Sequence, residues 1–245
     1  MPNGFQQPIS IKEAMDNIHT RKYLLPAIQR EFVWESEQIE LLFDSILRDY
    51  PINSFMAWKI CSDDLKSSYK FYEFLNEFRE GFKKENPLIS TAGVHDFDAI
   101  VDGQQRLTSL YLGLHGSYAY KLPRKWWIDN EDNIPTRHLF LNLSSKISSE
   151  IDNSKEYDFK FLVKHKKSFF DEKGTFWFRL KDIINIKSLS NVMTYLRVNN
   201  LEENEFASDT LSKLFQKIHS DKLINMYIHE DNDPDKILEI FLRTN

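Results

Sequence analysis

The segment from Phe97 to Leu114 constrains the fold of this chain more than any other part of the sequence. Its first six residues, FDAIVD, are a short apolar run of the kind that forms a buried strand. Gly103 breaks that run. Apolar residues then recur at the spacing of one helical face, namely Leu107, Leu110, Tyr111 and Leu114. The pattern predicts a strand, a glycine turn and a helix in direct succession, and therefore a fold that mixes sheet and helix.

Other periodic segments predict further helices and strands. Helices are expected after the Ser10–Glu13 capping box, from Ser36 to Pro51, over 65–86, within 188–219 and from Pro234. Strands or extended segments are expected at 23–34, 54–60, 138–143, 175–180 and 223–228. No repeat with a period of roughly 20–50 residues is visible, and no Gly/Ser-rich or Pro-rich linker divides the chain. We therefore expect an α+β fold in one domain, 1–245, with helical insertions at about 62–96 and 144–220.

The composition excludes several classes of protein. Of the 245 residues, 41% are hydrophobic and 14% aromatic, which supplies a core and excludes intrinsic disorder. The single cysteine, Cys61, excludes an intramolecular disulfide framework and a zinc site built from cysteines. No apolar run approaches the roughly 20 residues of a membrane span, and the N-terminus lacks a signal peptide. We therefore expect a soluble, cytoplasmic protein without a membrane partner.

The residues that follow the central strand could carry chemistry. Free N–H groups at the start of the helix favour an anion, and Gly103 would let the backbone approach a ligand closely. Arg106 could add a charge-assisted contact to a phosphate, and Asp102 could hold a metal ion or orient a water. The alternative is an ordinary strand–turn–helix with a solvated first turn. The sequence matches neither the P-loop nor the GxGxxG pattern.

Two further segments carry polar residues in unusual places. Gln29 and Arg30 interrupt the otherwise apolar stretch Pro26–Trp34, which by itself is also typical of an edge strand with outward polar side chains. Phe241–Asn245 includes Arg243, whose charge suits the C-terminal end of a helix.

Together, these three segments resemble the N-terminal domains of GmrSD-type, modification-dependent restriction enzymes. That family pairs a Pro-x-x-Gln-Arg-x-Phe/Tyr-Val-Trp segment with an Asp-Gly-Gln-Gln-Arg motif and a later Phe-x-Arg-x-Asn motif. Here they are Pro26–Trp34, Asp102–Arg106 and Phe241–Asn245, and the resemblance spans essentially the whole chain. The most specific element is the DGQQR motif, which is followed by Leu107–Leu110.

The resemblance implies a ParB/sulfiredoxin-like core, a small mixed sheet with flanking helices, in which the strand–turn–helix motif contacts nucleotide phosphates. It implies that hydrolysis of a nucleoside triphosphate controls the restriction of DNA. The expected DNA partner is modified phage DNA. Carried onto this sequence, it assigns catalysis to Asp102, Gln105 and Arg106, and nucleotide binding to Gln29, Arg30, Gly103, Gln104, Arg243 and Asn245. Asp102 would also bind Mg²⁺ or position the attacking water, and Arg30 or Arg243 would stabilise charge on the transferred phosphoryl group.

The sequence departs from the family pattern at its end. It stops at Asn245, before the usual Ser-Gly-Gly, and it shows no His/Asn/His array of an HNH nuclease. We therefore expect the nuclease to be a C-terminal or separate HNH-like domain that is absent from this chain. A homo-oligomer is also compatible with the sequence.

Two basic segments suggest where DNA could bind. Lys160–Lys167 follows an aromatic pair, and Lys121–Lys125 precedes Trp126 and Trp127. Basic residues interleaved with aromatic ones can contact phosphates and stack on bases. The alternative for each segment is a solvated charged face, and the net charge of −5 argues against a general nucleic-acid coat.

Three hypotheses for function follow. The leading one is a domain that binds and hydrolyses a nucleoside triphosphate and regulates restriction. The second is a DNA-sensing module without turnover, whose polar pocket receives a DNA phosphate or a modified base. The third is a ParB-like, metal-dependent domain that nicks DNA through a metal ion on Asp102.

Overall fold

The computed structural model describes residues 3–27, 31–147, 154–163 and 167–244. The strands in this part of the chain are β1 (Gly4–Phe5), β2 (Tyr23–Pro26), β3 (Phe55–Ile60), β4 (Phe71–Tyr72), β5 (Glu77–Arg79), β6 (Leu88–Ile89), β7 (Phe97–Asp102), β8 (Ser117–Ala119), β9 (Thr136–Asn142), β10 (Phe159–Val163), β11 (Phe169–Phe170), β12 (Phe176–Arg179) and β13 (Met226–His229). The helices are α1 (Ile11–His19), α2 (Ser36–Leu47), α3 (Asp63–Ser68), α4 (Gln104–Leu114), α5 (Leu189–Val198), α6 (Glu205–His219) and α7 (Pro234–Thr244), with a 3-10 helix at Leu180–Asn185.

The larger sheet is mixed, with the strand order β1-β13-β3-β7-β2-β4-β6. Its central strand, β7, runs parallel to β2 and antiparallel to β3. Strand β13 runs parallel to β3 on the other side. One edge of this sheet therefore collects the C-terminal ends of β7 and β2 and the N-terminal ends of β3 and β13.

The second sheet has the order β11-β12-β9-β8-β5, and β10 pairs with the remaining edge of β9. Strand β9 is its longest strand, and it pairs in antiparallel fashion with β8, β10 and β12. The two sheets and helices α1, α2, α4 and α6 share one large apolar core. Helix α4 is central to it, because every residue from Leu107 to Leu114 is buried.

Residues alternate between two cores along β7. Ile100 points into the large core, whereas Phe97, Ala99 and Val101 point into a smaller core on the opposite face. Helices α3 and α7 cover that opposite face, α7 through Ile237 and Ile240. The larger sheet is therefore buried on both faces, as its nearly continuous apolar strands require.

The α+β class is confirmed, and so are most of the predicted elements. Ser10 caps α1, and its hydroxyl accepts a hydrogen bond from the amide of Glu13 at 3.1 Å. The predicted cap of α2 is displaced by one residue: Glu35 is the cap, and its amide donates to the side chain of Gln38 at 3.0 Å. No helix in the described parts of the chain is long and apolar enough to cross a membrane.

The prediction of a helix over 65–86 is wrong. That segment holds the short helix α3 followed by β4 and β5. Its phenylalanines recur at helical spacing but face different surroundings: Phe71 lies in the smaller core, Phe78 lies in the larger one, and Phe82 is exposed. The helical spacing of these phenylalanines therefore does not reflect one helical face, because the residues lie in separate environments.

The two proposed insertions are not purely helical. Residues 62–96 contain one short helix and three short strands. Residues 144–220 contain α5 and α6, but they also supply β10, β11 and β12 to the second sheet. Of these strands, β12 was predicted, at 175–180. Strands β4, β5, β6 and β11 were missed because they have only two or three residues, too few for a periodic pattern to be detected, and β10 was missed as well.

Candidate functional site

The DGQQR motif lies where β7 ends and α4 begins, at the edge of the larger sheet that is formed by the C-terminal ends of β7 and β2. The register between β3 and β7 shifts between Met56 and Ala57, so a bulge lies directly beside Asp102. Bulges next to functional sites typically redirect a side chain. The motif thus combines a carboxylate at an irregular strand end with the start of a buried helix.

Gly103 is required by the fold itself. It caps α4 with φ of +82°, in the left-handed region that favours glycine. A Cβ atom at this position would lie closer than 3.0 Å to two ring carbons of Phe55. The space beside its Cα, which the sequence suggested for a ligand, therefore holds the Phe55 ring.

The two glutamines of the motif bind backbone groups. Gln104 donates to the carbonyl oxygen of Ile100 at 2.8 Å, which ties the start of α4 back onto β7. Gln105 donates to the carbonyl oxygen of Glu31 at 2.9 Å and accepts from the amide of Val33 at 3.0 Å. Its side chain therefore holds the 31–33 segment against the turn as a neighbouring strand would.

Arg106 holds a second segment. Its guanidinium donates to the carbonyl oxygens of Ile52 and of Ser54, the latter at 3.1 Å. The Cζ atom lies 4.7 Å from the centroid of the Phe55 ring. Burial lowers the pKa of Arg106 and the carboxylate of Asp102 raises it. A guanidinium nevertheless keeps its charge at neutral pH, so a fixed positive charge lies beside the turn.

Asp102 is the acid of the motif, and it is accessible to solvent. Its side chain is 37% exposed, and its carboxylate lies 3.7 Å from the guanidinium of Arg106, which is 18% exposed. The first backbone hydrogen bond of α4 is donated by Leu107 to Gly103 at 3.0 Å. The preceding amides of the first turn are therefore not used by the helix itself.

The remaining predicted site residues are not brought to this turn by any contact of the described residues. Gln29, Arg30 and Asn245 lie outside those residues. Glu31, the first described residue after Arg30, is held by Gln105. Arg243 is 77% exposed and pairs with Glu239 at 2.5 Å.

Two cavities are lined in part by the segments that Gln105 and Arg106 hold. The first, here called the aromatic cavity, measures about 480 Å³ and is lined by the 31–37 segment together with Phe78 and Tyr118. The second, here called the loop cavity, measures about 690 Å³ and is lined by the 49–54 loop, β1 and the residues before β13. The sequence analysis did not identify the 49–54 loop as part of a site. The signal that could have indicated the loop is the presence of Asp49 and Asn53, two residue types that tolerate positive φ and have φ of +63° and +59° here.

The basic segments differ in their surroundings. Residues 164–166 lie outside the described residues, and Lys160 pairs with Asp158 at 3.0 Å. In the other segment Trp126 is 80% exposed and Trp127 55% exposed, and Arg124 and Lys125 are exposed beside them. Solvent exposure of two adjacent tryptophans makes this loop a candidate interaction surface.

The described residues contain no group of three or more His, Cys, Asp or Glu side chains that could hold a metal ion. Mg²⁺ at nucleotide sites is usually held by one or two carboxylates together with substrate phosphates. Asp102 fits that arrangement, as a single accessible carboxylate.

The fold and the motif define an α+β protein with a polar strand–turn–helix junction at one edge of a mixed sheet. Residues 11–245 match the family described as GmrSD restriction endonuclease, N-terminal domain, and the chain belongs to this family. Membership associates the chain with DNA restriction. It confirms the resemblance that the three sequence segments indicated.

Part of the chain is also similar to a protein of Methanocaldococcus jannaschii, MJ0686. The two are 28% identical over 130 residues, which is 53% of this chain and 19% of that protein. This chain therefore spans about a fifth of the length of the relative that it matches.

Proposed function

We propose that the chain is the nucleotide-binding regulatory domain of a DNA restriction system, and that it hydrolyses a nucleoside triphosphate at the turn between β7 and α4. The observation that carries this proposal is the conjunction at one turn of unused helix amides, the fixed charge of Arg106 and the accessible carboxylate of Asp102. Helix N-termini bind phosphate through such amides and through the helix dipole.

Arg106 can serve both the fold and a phosphate. A guanidinium carries five N–H donors, and the contacts to Ile52 and Ser54 use two of them. These two bonds fix the orientation of the group before a ligand arrives. A preorganised cation stabilises developing negative charge without reorganising during the reaction.

Asp102 has the position and exposure expected of the group that acts on water. Its carboxylate can accept a proton from a water molecule, or bind Mg²⁺ jointly with phosphate oxygens, which would neutralise charge on the transferred group. The family resemblance assigns Arg30, which lies outside the described residues, to the same phosphates. Arg243 would need to leave Glu239 to contribute.

Thermal unfolding with each of the four ribonucleoside triphosphates, with and without Mg²⁺, tests the proposal. We expect one or more to raise the melting temperature, because a ligand at 100 times its Kd stabilises the fold by about 2.7 kcal/mol. The Arg106→Gln variant should lose that shift. Absence of a shift with every nucleotide in the wild-type chain would contradict the proposal.

Arg137 offers a matched control for that variant. It is buried, donates to the carbonyl oxygens of Tyr120 and Pro135 at 2.9 Å, and lies 3.5 Å from the Tyr120 ring. It thus makes the same kinds of contact as Arg106, but on β9 of the second sheet. Arg137→Gln should lower stability but keep the nucleotide-induced shift, which separates loss of a ligand contact from loss of structure.

A second candidate function, DNA sensing, is favoured by the exposed Trp126–Trp127 pair. Tryptophans stack on unpaired bases, and Arg124 and Lys125 could contact the adjacent phosphates. Lys121 supports the loop, because its ammonium donates to the carbonyl oxygens of Leu122 and Lys125 at 3.2 Å. The loop could thus present a rigid aromatic edge to DNA.

We expect Trp126→Ala to weaken binding of single-stranded DNA by roughly 1–3 kcal/mol, the usual contribution of one stacked base. Lys125→Gln should lower the slope of log affinity against log salt by about 1. Phe170, which is 53% exposed on β11, provides the control, since Phe170→Ala should leave binding unchanged. Fluorescence anisotropy over a salt series measures all three, and equal affinities would exclude this surface.

A further inference from the structure

The loop cavity and the proposed phosphate site are connected through Arg106, which does not itself line the cavity. Arg106 bonds to Ile52 and Ser54, and both of these residues line the cavity. The same guanidinium lies 3.7 Å from Asp102. A ligand whose phosphates lie at the turn could therefore extend past Arg106 into the cavity.

The size and lining of the cavity suit a planar heterocycle. Its volume of about 690 Å³ lies within the range of roughly 300–1,000 Å³ that is typical of small-molecule sites. Phe5, Pro8, Tyr50 and Pro51 supply apolar surface. Tyr50 also lines the cavity. The guanidinium of Arg48 lies over one face of its ring, 4.6 Å from the centroid, so a ligand would stack on the other face.

Polar groups in the lining could read the edge of such a heterocycle. The side chains of Asn53 and Asn225 are exposed at the cavity, and an amide offers both donors and an acceptor. The acid of the lining, Asp49, pairs with Lys213 at 2.8 Å and with Lys217 at 2.5 Å. These bonds hold the pKa of Asp49 below its usual range, and the two lysines balance its charge.

We infer that the loop cavity is the base-binding subsite of the nucleotide site, in which the nucleobase stacks on Tyr50 and is read by Asn53 and Asn225. This inference rests on the proposed function, because it assumes that the phosphates lie at the turn. It adds the element that selects among nucleotides, which neither the motif nor the family membership supplies.

Inorganic tripolyphosphate separates the inference from the proposed function, because it carries the phosphates without a base. We expect the wild-type chain to bind its preferred nucleoside triphosphate at least about tenfold more tightly than tripolyphosphate, as measured by calorimetry. Tyr50→Ala should lose about tenfold in nucleotide affinity and keep its affinity for tripolyphosphate. Tyr50→Phe, which retains the ring, should bind the nucleotide as the wild-type chain does.

Tyr69 provides the matched control. Its side chain is exposed to a similar degree and contacts Trp58, away from the cavity, so Tyr69→Ala should leave nucleotide affinity unchanged. Equal affinity of the wild-type chain for tripolyphosphate and all four nucleotides would overturn the subsite and leave the phosphate site standing. A chain that binds neither ligand would overturn both proposals.

Discussion

Replacing Gly103 with alanine is expected to destabilise the protein by about 2–5 kcal/mol. An alanine forced into the left-handed region costs about 1–2 kcal/mol. Its methyl group would also overlap the Phe55 ring, and overpacking of a filled core costs about 1–3 kcal/mol. Because native domains are stable by only about 5–15 kcal/mol, this single methyl group removes a large share. Urea unfolding followed by circular dichroism measures the loss.

The chain contains a control that isolates the contribution of the clash. Gly174 has φ of +79°, close to that of Gly103, but a Cβ atom there would meet no heavy atom within 4 Å. Gly174→Ala should therefore lower the free energy of unfolding only by the cost of the left-handed backbone conformation, about 1–2 kcal/mol. In addition, Phe55→Leu should partly rescue Gly103→Ala, since neighbouring changes are not additive. Equal losses at the two glycines would show that Phe55 does not set the requirement.

Asp102→Asn is expected to lower nucleotide hydrolysis at least about 100-fold, because the amide can neither take a proton nor bind Mg²⁺ as a carboxylate does. Stability should change by less than about 1 kcal/mol, since the side chain is partly exposed and its nearest charge is 3.7 Å away. Phosphate release under saturating nucleotide, with a melting curve for each variant, measures both quantities.

Asp132 is the control for this substitution, being an exposed acid in the loop between β8 and β9. Asp132→Asn should retain full hydrolysis. If Asp102→Asn hydrolyses nucleotide at the wild-type rate while remaining folded, Asp102 does not act on water, and the catalytic part of the proposal fails.

The sequence predicted the central junction well, because its signals are local. A short apolar run, a glycine and a helical stripe specify β7, the turn and α4 without reference to the rest of the chain. The family membership was predictable for a similar reason, since its three motifs are contiguous stretches. Periodicity also located α1, α2 and α6.

The internal contacts of the site could not be predicted, because they depend on residues far apart in sequence. Nothing near Gly103 in sequence indicates that Phe55 fills the adjacent space. The polar side chains of Gln105 and Arg106 suggested that they contact a ligand. In the structure both side chains bind backbone groups of segments that are distant in sequence. The helix prediction over 65–86 was wrong for the opposite reason. The helical spacing of its phenylalanines is a local pattern, but these residues lie at separate places in the tertiary structure.

The bonds made by Gln105 and Arg106 also bear on when the site comes into being during folding. Gln105 reaches 72 and 74 residues back along the chain, and Arg106 reaches 52 and 54. Contacts of such separation form only after the entropy of closing long loops has been overcome by the sheet. The proposed nucleotide site is therefore complete only when residues 31–33 and 52–54 have come against the turn, and nucleotide binding is expected to report that this part of the chain has folded.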